Sequence, residues 1–153
     1  MISATHLHAM VIHFPIALIL IGFIFEIISI FSKQIFFKQS SLALLIIGTV
    51  GVVIAYFSGN AAGDGMEEGT MSRAMELHEQ AATFALWISI ITAVYYSLNF
   101  FLKINTLWIK IVGIILFTLT VAAISRTGYL GGQLVYKHGA GVQLEMPDFN
   151  IKN

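Results

Sequence analysis

Ile16-Ala-Leu-Ile-Leu-Ile-Gly-Phe-Ile-Phe25 contains no polar side chain. The apolar run around it extends roughly from Ala9 to Phe31, and crossing a bilayer takes about 20 helical residues. Three further stretches match it: roughly Ser41 to Gly59, Ala81 to Leu102, and Leu107 to about Tyr136. Their Ile, Val and Phe content would suggest strands in water. In lipid, backbone groups must be satisfied within the segment, so unbroken runs of this length read as helices. The chain is therefore expected to be all-α, an integral membrane four-helix bundle forming one transmembrane domain over 1–153. Short connections make neighbouring helices antiparallel, which gives up-down-up-down topology.

Composition supports lipid as the solvent. Hydrophobic residues make up 58% of the chain and charged residues 10%, against about 25% in soluble domains. Mean hydropathy is +0.86. The net charge of zero lacks the basic footprint that nucleic acid requires. The absence of cysteine excludes disulfides, thiolate-bound iron–sulfur clusters and C-x-x-C-H haem attachment. No Lys or Arg precedes the first apolar run, so it lacks a signal peptide's positive n-region and is expected to stay as a helix.

The connections differ in charge. Residues 32–40 contain Lys33 and Lys38, residues 103–106 contain Lys103, Lys110 follows just inside the next helix, and neither connection holds an acid. The loop at 60–80 holds Asp64, Glu67, Glu68, Glu76 and Glu79 against Arg73. Lysine-bearing short loops mark the cytoplasmic side. Both termini and the 60–80 loop then face the periplasm of a bacterial inner membrane, against the mild dissent of Lys137 and Lys152.

This topology puts His6, His8, His13, His78 and His138 on the outer side. Most non-membrane residues lie there too, so the side alone means little, and His6 reads as an exposed terminal residue. Depth says more. At about 1.5 Å per helical residue, His8 and His78 stand roughly 37 Å above Lys33 and Lys103. His138 stands roughly 42 Å above Lys110, and His13 about 8 Å deeper than His8. Small residues flank them on the same helical face: Ala9 and Ala17 beside His13, Ala81, Ala82 and Ala85 beside His78, Gly131 beside His138. Room beside an imidazole suits a flat macrocycle. It equally suits close helix packing, as the Gly128 and Gly132 pair also suggests.

Two chemistries fit such a layer. Two neutral imidazoles from facing helices can hold haem b, six-coordinate and suited to electron transfer. Zinc or copper would use the same histidines, with Glu76 or Glu79, and wants three or four converging ligands. Arg126, 16 residues in from Lys110, would either pair with Asp64 or Asn60 or hold a carboxylate such as a haem propionate. Glu26 would pair with Lys110, sit protonated in the interface or relay protons. Pro15 would kink the first helix near the Val11 carbonyl, or mark a helix start that leaves His8 in a loop. Trp87, Trp108 and Tyr129 read as interface belt residues. No Ser–His–Asp order, phosphate loop or paired catalytic carboxylates occurs.

Two stretches carry a resemblance: His8-Ala-Met-Val-Ile-His13-Phe-Pro15-Ile-Ala-Leu, and Gly128-Tyr-Leu-Gly131-Gly132-Gln-Leu-Val-Tyr136-Lys-His138-Gly139-Ala-Gly141-Val. With His78 between them, they resemble a bacterial family of small four-helix membrane proteins of unknown function, over nearly the whole chain. Ala9 stands where that family commonly has proline after the first histidine. The resemblance implies the fold and singles out His8, His13, His78 and His138, without His6. It also implies a redox setting, because relatives occur fused to Rieske-like or cytochrome domains.

The leading expectation is thus an electron-transfer protein with haem on two or four of His8, His13, His78 and His138, with Arg126 alongside. It would work with a quinone, a periplasmic cytochrome or a larger membrane redox complex. A zinc or copper protein and a cofactor-free accessory subunit are the alternatives. An electron carrier or accessory subunit is expected rather than a stand-alone enzyme.

Overall fold

The structure, a computed structural model, describes residues 4–32, 34–63, 71–104 and 106–141. Five helices carry them: α1 (Ala4–Val11), α2 (His13–Phe31), α3 (Ile35–Gly63), α4 (Ser72–Phe101) and α5 (Leu107–His138). Together α1 and α2 form one apolar span of 28 residues, Ala4–Phe31. With α3, α4 and α5, of 29, 30 and 32 residues, that makes four helices long and apolar enough to cross a membrane. No strand occurs among the described residues. All four expected spans are present.

The break between α1 and α2 falls at Ile12. Pro15 has no N–H to give the Val11 carbonyl, and its ring crowds that carbonyl. The Ile12 N–H still bonds the His8 carbonyl at 3.1 Å. Proline therefore interrupts the span without ending it, and His8 lies on a helix rather than in a loop.

The helices run further than the apolar segments. α3 begins at Ile35 and ends at Gly63, and α4 begins at Ser72, so the expected connections at 32–40 and 60–80 are largely helical. Helix propensity does not stop where hydrophobicity does. The start of α4 is polar yet bonded along its own surface, with Arg73 donating to Glu76 at 2.8 Å and Gln80 to Glu76 at 3.0 Å. α5 reaches His138, two residues beyond its expected end, and stops where Gly139 turns left-handed at φ 68°. The Gly139 and Ala140 N–H groups close on the Val135 and Leu134 carbonyls, each at 3.0 Å. Lys33, Asp64, Glu67, Glu68 and Lys152 lie outside the described residues.

α2 packs along α3 and α4 along α5; α3 against α4 joins the two pairs, and α2 touches α5 more lightly. α1 lies against α3. A Cβ on Gly48 would stand 2.6 Å from Ile19 Cγ1, so the α2–α3 approach requires glycine there. Ile19, Leu45 and Phe117 are fully buried at the centre. The Phe117 ring meets Phe23 and Tyr96 at centroid distances of 5.4 and 5.6 Å. The buried hydroxyls of Thr92 and Thr120 meet at 2.9 Å between α4 and α5.

The outside is apolar. Phe14, Phe31, Phe101 and Trp108 are 70–84% exposed. Such a surface is untenable in water and expected in hydrocarbon. The protein is a helical membrane protein.

Candidate functional site

His8, on α1, lies half-buried against α3. Its Nδ1 is 3.1 Å from Ser58 Oγ. Ser58 Oγ also donates to the Ala55 carbonyl at 3.0 Å. A serine hydroxyl has one hydrogen. With that hydrogen on Ala55, Ser58 accepts from a proton on His8 Nδ1; with it turned to His8, Ser58 donates to a bare Nδ1. Nε2 carries the free electron pair in the first of these tautomers. A Cβ on Gly59 would lie 2.9 Å from His8 Cε1, so the ring seats where the next helix has no side chain.

His78, on α4, faces α5. A Cβ on Gly131 would lie 3.1 Å from its Cε1, and the Thr127 carbonyl is its polar neighbour. Its Nδ1 is buried without a hydrogen-bond partner. An orphan of that kind costs about 1–3 kcal/mol, so it marks an unsatisfied bonding position. His8 and His78 stand on different spans, and both are half-buried. The backbones of α4 and α5 stand away from α1, which lies against α3 and α2. A Cβ on Gly132 would meet nothing within 4 Å, and one on Gly128 only Ile16 Cδ1, at 3.8 Å. These two glycines share a face of α5 and leave it without side chains.

The other sequence candidates are more exposed than this pair. His13, His138 and His6 are exposed on α2, the end of α5 and α1. Arg126 is exposed and has no hydrogen bond or ion pair among the described residues. Asn60 is therefore not its partner, and Asp64 lies outside those residues. Glu76 is engaged by Arg73 and Gln80. Glu79 reaches toward the end of α3, where a Cβ on Gly63 would lie 3.5 Å from its Oε1. Among the described residues no three His, Asp or Glu side chains converge as a metal site.

Sequence reasoning missed Ser58 and Gly59, and set Gly131 beside His138 when it faces His78. Spacing along one helix cannot show which neighbour a glycine serves. The signal present was depth: Ser58-Gly59 closes the expected second span at the level of the histidine layer.

Four helical spans, with His8 and His78 half-buried at one end of the bundle, define a small multi-span membrane protein. The chain belongs to the family described as predicted membrane protein (DUF2231), which matches residues 4–144. The resemblance to a membrane family of unknown function thus holds. No curated protein and no solved structure matches the chain.

Proposed function

We propose that this protein binds haem b between His8 and His78 and carries electrons in the membrane. One observation supports this above the others. Two half-buried imidazoles lie on different spans at one end of the bundle, each ring edge against a glycine, with Ser58 Oγ 3.1 Å from Nδ1 of His8. The haem would supply one-electron chemistry, its potential set by axial ligands and local dielectric.

The chain's own residues supply the rest. Ser58, accepting from Nδ1, leaves Nε2 of His8 free for the iron. Gly59 and Gly131 let both rings lie close to neighbouring backbone, and Gly128 and Gly132 leave a side-chain-free face of α5 at that end. The buried Nδ1 of His78 would gain an electron-pair partner if its ring turned Nε2 toward the iron and Nδ1 toward the Thr127 carbonyl. Exposed Arg126, two residues before Gly128, is the cation this arrangement offers a propionate. His13 and His138 lie outside the axial pair.

Lys38, Lys103 and Lys110 lie at the end of the bundle away from the histidines, and supply the charge bias for a cytoplasmic face. The histidine end would then face the periplasm of a bacterial inner membrane. A quinone or a periplasmic cytochrome would be the electron partner.

The test is an absorption spectrum of the purified protein, before and after adding haem. A Soret band is expected, lost in His8→Ala and His78→Ala and kept in His13→Ala and His138→Ala. No band under either condition refutes haem binding, and loss in His13→Ala with retention in His8→Ala refutes the pairing.

A further inference from the structure

The opposite end of the bundle holds a second polar site, independent of the histidines. Glu26 lies on α2, about one and a half helical turns from the helix end at Phe31. Its carboxylate faces the hydroxyls of Ser41 on α3 and Tyr96 on α4. Ser41 is fully buried. Glu26 Oε2 and Ser41 Oγ are both buried and both lack a hydrogen-bond partner. No ion pair reaches Glu26 among the described residues, where the one ion pair is Arg73–Glu76. A charge on a carboxylate with one oxygen buried and no ion pair is costly, and Lys38 is a cation that acts against that cost. A single hydrogen shared between Oε2 and Oγ would satisfy both orphans, and a hydrogen brought by the carboxyl would also remove the buried charge.

A cavity of about 60 Å³ leads to this carboxyl, lined by Glu26, Lys38, Tyr96, Asn99, Lys110 and Gly113 among others. It has room for on the order of four waters. Gly113 makes the geometry possible, since a Cβ there would stand 3.0 Å from the Tyr96 hydroxyl. Tyr95 is tied back, its hydroxyl donating to the Ile109 carbonyl at 2.9 Å. The groups facing the cavity are therefore one carboxyl, two phenols, one amide and the two lysines, drawn from α2, α3, α4 and α5. Deeper in the bundle, Tyr96 meets the buried Phe117 ring edge-on, and Phe117 in turn meets Phe23.

We infer that Glu26 and Ser41 form a one-sided proton-binding site. Glu26 Oε2 holds the proton and donates it to Ser41 Oγ; rotation of the carboxyl brings the proton to water in the cavity, which exchanges it with the membrane face where α2 ends and α3 begins. Tyr96 holds the carboxyl from α4. Lys38 and Lys110 keep the mouth hydrated and repel other cations. The buried Phe117 ring against Tyr96 offers the proton no acceptor.

Infrared spectroscopy of the full chain in lipid nanodiscs at neutral pH tests this. Exposed carboxyls are ionised at that pH. The wild type is expected to show a carbonyl band of a protonated carboxylic acid that moves down in D2O and disappears in Glu26→Gln. Ser41→Ala is expected to keep the band and move it to higher frequency, as a carboxyl that has lost its acceptor. No such band, or one unchanged in Glu26→Gln, overturns the site; a band that ignores D2O overturns the hydrated cavity. The chain has no cysteine, so sidedness can be read from single cysteines and a membrane-impermeant maleimide in oriented vesicles. Asn99→Cys should label from the same face as Gln34→Cys and not from the face that labels Ser72→Cys. Labelling from the Ser72 face, or from neither, overturns the one-sided opening.

Discussion

Gly59→Ala should destabilise the protein, although alanine is the better helix former. In a helix interior, alanine is favoured over glycine by about 1 kcal/mol. Gly132→Ala should realise that gain, because its Cβ would meet nothing within 4 Å. At Gly59 the new methyl would stand 2.9 Å from His8 Cε1 and 3.3 Å from Nδ1. The ring must move, and moving it breaks the 3.1 Å bond to Ser58, worth about 1 kcal/mol. Overpacking adds about 1 kcal/mol at its lower limit. The sum is a loss of about 1 kcal/mol for Gly59→Ala, some ~2 kcal/mol apart from Gly132→Ala. Unfolding in mixed micelles, followed by the fluorescence of Trp87 and Trp108, measures both. A double-mutant cycle with Ser58→Ala isolates the cause: with the bond already gone, Gly59→Ala should cost about 1 kcal/mol less. If Gly59→Ala and Gly132→Ala stabilise equally, His8 does not sit against Ser58 and Gly59, and the axial-ligand proposal loses its main support.

Phe117→Ala should be the costliest truncation of the core, about 3–5 kcal/mol in the same assay, because the ring is fully buried and joins Phe23 to Tyr96. Thr92→Val and Thr120→Val should each cost about 0.6 kcal/mol, the usual scale for hydroxyl bonds between membrane helices, with the double variant costing less than their sum. Arg126→Gln should leave the unfolding midpoint of the cofactor-free protein within about 0.5 kcal/mol of wild type, as the residue is exposed and has no partner among the described residues; a larger loss would reveal a structural ion pair.

The spans were legible because hydrocarbon imposes length and composition together. Ile16–Phe25 could hardly be anything but membrane helix. The helix ends were less legible, since apolar content marks where the bilayer lies rather than where hydrogen bonding stops. Residues 72–80 are polar and helical at once, and only their mutual bonds show it. The Glu26–Lys110 pairing considered from depth alone does not form; the two residues line one cavity instead.

The histidine layer divides along the same line. Depth counting put His8 and His78 at one level, and the structure half-buries both. It could not separate them from His138, because height along the bundle axis says nothing of direction around each helix. Direction is set by tertiary packing. α1 turns His8 onto Ser58 and Gly59, α4 turns His78 onto Gly131, and His13 and His138 are left on the outside. The solvent, the four spans, the charge bias of the connections and the end of the bundle where imidazoles collect were legible along the chain. All of these follow from residue type and one-dimensional spacing. Which histidines turn inward, which oxygen lies against His8 and that Glu26 lines a cavity were settled by packing, because each depends on atoms from different helices meeting at one point.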